Sequence, residues 1–398
     1  MYRVAHICRF PANEEIHSYN GGVASYTWFF LDSINHDKNY QHYVLHDQKK
    51  CALPKPLEQW WRWRASYFFV IDIIRGLYKI KPHIIHVQWE LSLFGPLINN
   101  FLLLIILWLC KMLGSKIIVT RHHVLDTHLL TKKFVQEQWY RLPARIIRLA
   151  TRILYGMAKG FDHHIVHENL HQKILERSYH FREVSVIHHG IQEVHQIDKQ
   201  QACDFYHVDT DHFVVWFCGY AAAYKNIDIL IDGFADFHKQ NPDSHLLIGA
   251  GKHPKRTHDA AYKDHYQSLQ SHAKNALISW SYQWIWFVPD KDLDTFYSAC
   301  DVLVFPYKHS FSSSWPLALS IAHHKIFVFS PPLFPYFPDL ADNVFTLDAQ
   351  SLSNTLSQVY ANTETYMKNI ATMQASRKRS VLASSYLGIY HSLSVSHV

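Results

Sequence analysis

Short, nearly continuous apolar runs alternate along this chain with longer segments whose apolar residues recur at helical spacing. RVAHICRF, HIIHVQ, KIIVTRHH, HHIVH and VSVIHH are strand candidates in the first half. Between them lie helical patterns such as VASYTWFFLDSI and the strongly apolar segment 97–113. From residue 212 a second set follows, with HFVVWFCGY, HLLIGAG, WIWFV, CDVLVFPY and KIFVFS as strands. Strands separated by helices predict βαβ units and parallel sheets. The pattern loses its periodicity in IQEVHQIDKQQACDF, near 190–210, which predicts two α/β halves joined there. Ligands of such folds bind at the carboxyl ends of the strands, here expected in a cleft between the halves.

The length of 398 residues agrees with two domains, and 48% hydrophobic content supplies two cores. A formal charge of +6 is too modest to point to nucleic acid as a partner. Six cysteines are scattered without a C-x-x-C pair, which suits a reducing compartment and free thiols. The longest apolar run, FLLLIILWLC, is too short to cross a bilayer and reads as part of a buried helix. MYRVAHICRF lacks the basic leader and apolar core of a signal peptide, so a cytoplasmic location is expected.

HENLH at 167–171 matches H-E-x-x-H, the zinc-peptidase pattern. Only three letters are fixed, and the chain has 31 histidines. HHIVH reads as a strand ending near His167, with a helix starting at Asn169 as its N-cap. The two histidines then straddle a strand–helix junction, and the shared helix face that zinc needs is missing. No metal site and no other cofactor is expected.

Several segments, in order, resemble a GT-B glycosyltransferase of the glycosyltransferase family 4 type, over nearly the full chain: NGGVASYTWFFLDSI, IIHVQWELSLFGP, IIVTRHHVLD, VIHHGI, FCGYAAAYKNIDILIDGFADF and FVPDKDLDTFYSACDVLVFPY. The resemblance implies an α/β GT-B fold of two Rossmann-like parallel-sheet domains. Residues 1–195 would bind the acceptor and 196–370 the nucleotide sugar, with 371–398 a helical segment packing back toward the first domain. Gly21 and Gly22, in a loop before a helix, would approach a phosphate. Lys225 would be the diphosphate-binding lysine. His122 would be the catalytic histidine at the strand end, or His123 after a one-residue slip. His189 and Gly190 match a donor-side H-G pair. The family's two glutamates fall on Phe311 and Leu319, and its donor-loop arginine on Ala222 or Tyr220, so these charges are missing. Ser312, Ser313 and Ser314 stand at the helix start instead and offer hydroxyls and amides to the donor.

Arg141, Arg145, Arg148 and Arg152 step by helical spacing, and Trp60, Trp61, Arg62, Trp63 and Arg64 mix indoles with cations as interfacial segments do. Together they predict peripheral docking on the anionic inner face of a membrane, beside a lipid-linked or glycan acceptor. The reading is a nucleotide-sugar-dependent, retaining glycosyltransferase in surface polysaccharide or glycolipid synthesis. An inactive scaffolding relative and a GT-B sugar-nucleotide epimerase are its rivals.

Overall fold

The computed structural model describes residues 1–11, 22–48, 53–54, 57, 60–64, 66, 68–91, 93–127, 130–132, 143–191, 193–252, 258–309 and 315–395. The chain forms two compact units, one of Met1–Gly190 with Lys378–Val398, the other of Ile191–Ser310 with Ser314–Arg377. The first unit thus takes back the C-terminal helix, Arg379–Val395.

Seven parallel strands make the first sheet: β1 (Tyr2–Ile7), β2 (Tyr40–His46), β3 (Trp60–Arg62), β4 (Ile84–Trp89), β5 (Lys116–Arg121), β6 (His163–Val166) and β7 (Val184–Val186). Their order is β3-β2-β1-β4-β5-β6-β7. Every residue of β4 is buried, as a central strand covered on both faces requires. Along β1 the side chains alternate between two cores. Ala5 and Ile7 join the core under helices Phe69–Ile80, Leu97–Met112 and Ala144–Ala158. Val4 and Cys8 join the core under helices Gly22–Ile34 and Arg379–Val395.

The second unit holds β8 (Phe213–Tyr220), β9 (Ser244–Gly251), β10 (Tyr282–Ile285), β11 (Val302–Phe305) and β12 (Ile326–Phe329), all parallel, in the order β10-β9-β8-β11-β12. These are the five strands expected from the sequence, with β10 shifted toward the N-terminus of WIWFV.

The structure corrects the reading of Trp60–Arg64 as an interfacial segment. Its first three residues are an edge strand paired with β2. The Trp63 side chain is fully buried against Phe69 and Phe94, and its indole Nε1 donates to the Leu45 carbonyl at 3.1 Å. Trp61 packs half-buried against the same core. The Arg64 guanidinium is held by Asp72 through Nε and Nη2, both at 2.8 Å. Arg62 alone is exposed without a described role, and the side chain of Trp60 lies outside the described residues. A second, smaller correction concerns the helix after β6: Glu168, in extended conformation, takes the N-cap position expected for Asn169.

The face of the first sheet under helices Gly22–Ile34 and Arg379–Val395 carries imidazoles where aliphatic side chains are the rule. His6 and His42 face each other at 2.9 Å, Nε2 to Nδ1. His86 Nδ1 meets the Tyr390 hydroxyl at 2.6 Å and its Nε2 meets Thr120 Oγ1 at 2.7 Å. Burial drives His42 down to about 4 and His86 down to about 3. Both rings are therefore neutral when folded and bind a proton near pH 6.5 when unfolded. Their stabilisation is complete above pH 6.5 and is lost as pH falls toward the folded values. By pH 5 each should have cost the fold about 2 kcal/mol. Hydrogen exchange of the β1 and β4 amides should therefore accelerate steeply between pH 6.5 and 5 after correction for intrinsic rates. A flat corrected rate would mean that these rings are hydrated.

Candidate functional site

In the first unit, the carboxyl ends of β5, β6 and β7 bring three histidines together. His122 follows β5, His167 follows β6, and His189 follows β7. All three are buried, and one ring nitrogen of each lies within 4.8 Å of the other two. The Tyr26 ring, from helix Gly22–Ile34, stands edge-on to each, with centroids 5.1, 4.6 and 4.7 Å from His122, His167 and His189. The Tyr26 hydroxyl meets that of Tyr386 at 2.6 Å.

The hydrogen bonds fix the tautomers of two of these rings. His122 Nε2 lies 2.8 Å from Gln88 Oε1, so this nitrogen carries the proton and Nδ1 keeps a lone pair. His167 Nδ1 donates to the Ile187 carbonyl at 2.9 Å, which leaves Nε2 as the acceptor nitrogen. Burial, then the neighbouring imidazoles beginning with His167, hold His122 well below its ordinary pKa. The arrangement is a buried neutral base, oriented by Gln88. It is also the group that could hold a transition ion: its nitrogens converge, and two of its rings are steadied from outside by a carbonyl oxygen.

His122 and His189, expected as site residues, thus meet here. His123 turns away, is one-third exposed, and lies 3.9 Å from Glu90. Gly190 has a packing reason, since a Cβ there would come within 2.6 Å of the Phe29 ring. Gly22 opens its helix, exposed, while Gly21 lies outside the described residues. Tyr26, Gln88 and His167 were not expected. His167 is the first histidine of HENLH, and its second, His171, is buried outside the cluster.

In the second unit, Lys225 follows the small-residue loop after β8, on a 3-10 turn, Ala223–Lys225. It is 7% exposed, and among the described residues no carboxylate pairs with it. Its ammonium lies over the rings of Tyr307 at 5.4 Å and Phe217 at 5.7 Å. Burial lowers it to about 8, against the Cys218 thiol, which raises it. Gly219, at φ +142°, makes room for it: a Cβ there would sit 2.1 Å from Lys225 Nζ. Leu319, where the family's glutamate was sought, is a core residue, 2% exposed. Ser312, Ser313, Ser314 and Phe311 lie outside the described residues.

A third feature belongs to the first unit's outer helices, which pack side by side. Each shows an apolar stripe to solvent as well as to the core. Ile71, Ile74 and Tyr78 form one, Ile105, Leu109 and Met112 the next, Ile146, Leu149 and Ile153 the third. A groove of ≈ 720 Å³ runs between the first two helices. Arg145 and Arg152 are exposed on the third, Arg148 donates to the Leu130 carbonyl at 2.7 Å, and Arg141 lies outside the described residues. Among the described residues, no helix is long and apolar enough to cross a membrane.

Residues 198–320 match the family model for glycosyl transferases group 1, a stretch that contains β8, Gly219 and Lys225. No curated protein matches the sequence. Among solved structures, sucrose-phosphate synthase from Thermosynechococcus elongatus is similar over the whole of both chains, at TM-score 0.74 and 16% identity. HepE of Anabaena in complex with UDP is similar at TM-score 0.69 and 12% identity, over 98% of this chain and all of that one. A glycosyltransferase from Rickettsia africae is similar at TM-score 0.69 and 13% identity, over 98% of each chain. At these identities the structural likenesses speak for the fold. With a glycosyl transferases group 1 domain in its second unit and the two-sheet architecture of these neighbours, the chain is a glycosyltransferase of GT-B fold.

Proposed function

We propose that the protein transfers a sugar, with retention, from a nucleotide-diphosphate donor bound by its second unit to a lipid-linked or glycan acceptor bound by its first. The observation that carries this reading is Lys225, a buried ammonium with no described carboxylate partner, lodged at a strand's carboxyl end against a glycine that leaves it room. A cation kept dry at such a cost is suited to an incoming diphosphate, whose charge it neutralises as the leaving group departs. UDP is the nucleotide to test first, because HepE was solved with it. His122 contributes the lone pair of Nδ1, which accepts a hydrogen bond from a sugar hydroxyl. Retention rests on the family resemblance and is read from the anomeric proton of the product. The apolar stripes, with Arg145 and Arg152 among them, support docking on an anionic lipid surface.

Lys225→Met should weaken UDP binding by about 1.5–3 kcal/mol, the scale of a charge-assisted hydrogen bond. It should not destabilise the unliganded protein, because it removes a buried unpaired charge. Gly219→Ala should weaken UDP binding in the same range by displacing the ammonium. Wild-type affinity should decline as pH rises through about 8, where the amine loses its proton. Calorimetry showing equal affinity in wild type and Lys225→Met would take the lysine out of the donor site.

His122→Ala should lower kcat by at least tenfold with donor affinity nearly unchanged. An equal loss in both quantities would assign the ring to ground-state binding.

The protein should sediment with anionic vesicles and not with neutral ones, with partial release at high salt. Leu149→Glu with Ile153→Glu should abolish the salt-resistant part, and Arg145→Gln with Arg152→Gln the salt-sensitive part. Wild-type protein that ignores anionic vesicles at low salt would leave a soluble acceptor as the better reading.

A further inference from the structure

Arg121 ends β5, one residue before His122, and points to the opposite face of the sheet. It is 1% exposed. Its guanidinium lies over the rings of Trp89 at 4.2 Å, Tyr155 at 4.6 Å and Phe181 at 5.1 Å. Rings stabilise a cation but do not neutralise it. Among the described residues no carboxylate pairs with Arg121, and its Nε and Nη2 have no hydrogen-bond partner. Thr151 Oγ1, from helix Ala144–Ala158, is likewise buried and unpaired. Burial lowers Arg121 only to about 10, so it remains charged at neutral pH.

The residues that carry these groups line one small cavity at the end of the strand. Its walls include Trp89, Arg121, Thr151 and Tyr155, with Glu90 and His123 among the lining residues that keep some exposure. The free volume is ≈ 20 Å³, room for about one water-sized atom. Glu90 has His123 Nδ1 at 3.9 Å and makes no ion pair with Arg121. A buried guanidinium with unused N–H groups costs several kcal/mol unless an acceptor of opposite charge completes it. The cavity has space for one such atom, and the threonine hydroxyl can donate to it as well.

We propose that Arg121 and Thr151, walled by the Tyr155 ring, form a subsite for a single anionic oxygen, the tip of a phosphate-type oxyanion whose remaining atoms stay outside the cavity. That the oxyanion is a phosphate ester carried by the acceptor rests on the transferase reading; the anion site itself does not. A guanidinium and a hydroxyl suit a phosphate oxygen in both charge and donor number. The subsite sits in the same unit as His122, on the strand that His122 follows, so a bound phosphate would fix the register of a substrate lying across the strand ends.

The test is anion binding by the full-length Lys225→Met protein, in which phosphate binding at the donor site is weakened and is the same with and without the added variants. Calorimetry and thermal melting would be run at fixed ionic strength with inorganic phosphate, glycerol phosphate and chloride, on this background alone and with Arg121→Met or Thr151→Val added. The expected result is one phosphate and one glycerol phosphate bound per chain, at least tenfold more weakly in both variants. Binding of inorganic phosphate but not of glycerol phosphate would assign the site to the free anion and overturn the acceptor assignment. A response to chloride alone would overturn the oxyanion. An unchanged phosphate response in both variants, with Arg121→Met melting higher than its parent, would make Arg121 a structural cation of its aromatic cage. Should Arg121→Met fail to fold, the near-isosteric Thr151→Val decides by the same comparison. Transfer activity is not the readout, so the site stands or falls independently of the proposed reaction.

Discussion

An imidazole or an amine removed from water holds its proton poorly, because the charged form loses its hydration and gains little in return. Both sheets of this protein are covered on two faces, and ionisable side chains are built into them. The consequences differ with the group. His6, His42 and His86 respond by remaining neutral and hydrogen-bonding to one another, to Thr120 and to Tyr390. The network gives the first sheet a polar interior in which both nitrogens of His86 are paired, while His6 Nδ1 and His42 Nε2 are buried without a described hydrogen-bond partner. Lys225 cannot adapt so completely. Its depressed pKa of about 8 leaves it largely charged at neutral pH, and the rings of Tyr307 and Phe217 are its described company.

Architecture was more legible in the sequence than chemistry. The strands β4, β5, β8, β9 and β11 are apolar runs between helical patterns, and a parallel sheet needs that composition because both faces are buried. Strands β2 and β3 were missed for the converse reason. YQHYVLH interleaves polar residues with apolar ones, and WWR is only three residues long. Its neighbour Trp63 resembled an interfacial indole because a sequence cannot show that Leu45 supplies a carbonyl for its Nε1.

Lys225 was legible because a small-residue loop after an apolar run is a local pattern. The histidine cluster was not, since His122, His167 and His189 come from three separate strand ends and meet only through the pairing of β5 with β6 and β6 with β7. HENLH called attention to His167 for a reason that does not hold, as its second histidine lies on the following helix outside the cluster. The apolar outer stripes were hidden for a different reason. A helix such as Leu97–Met112 is hydrophobic on several sides, and periodicity alone assigns all of it to a core.

The placement of cations along single strands separates structure from function. β5 begins at Lys116 and ends at Arg121. At its start, Asp162 takes Lys111 at 2.7 Å and Lys116 at 3.9 Å, and also accepts the Ile117 amide at 2.9 Å. At its end, Arg121 is more deeply buried and has no described acid. The second unit repeats the asymmetry. Asp301, just before β11, accepts Lys199 and the Val214 amide at the amino end of β8. Lys225, beyond the carboxyl end of β8, is left without a described carboxylate. Folding alone would favour neutralising both ends, since an unpaired buried cation costs more than a paired one. At the amino ends of β5 and β8 the cations are neutralised by the chain itself, whereas Arg121 and Lys225, at the carboxyl ends of these same strands, where open α/β sheets take their ligands, have no described acid.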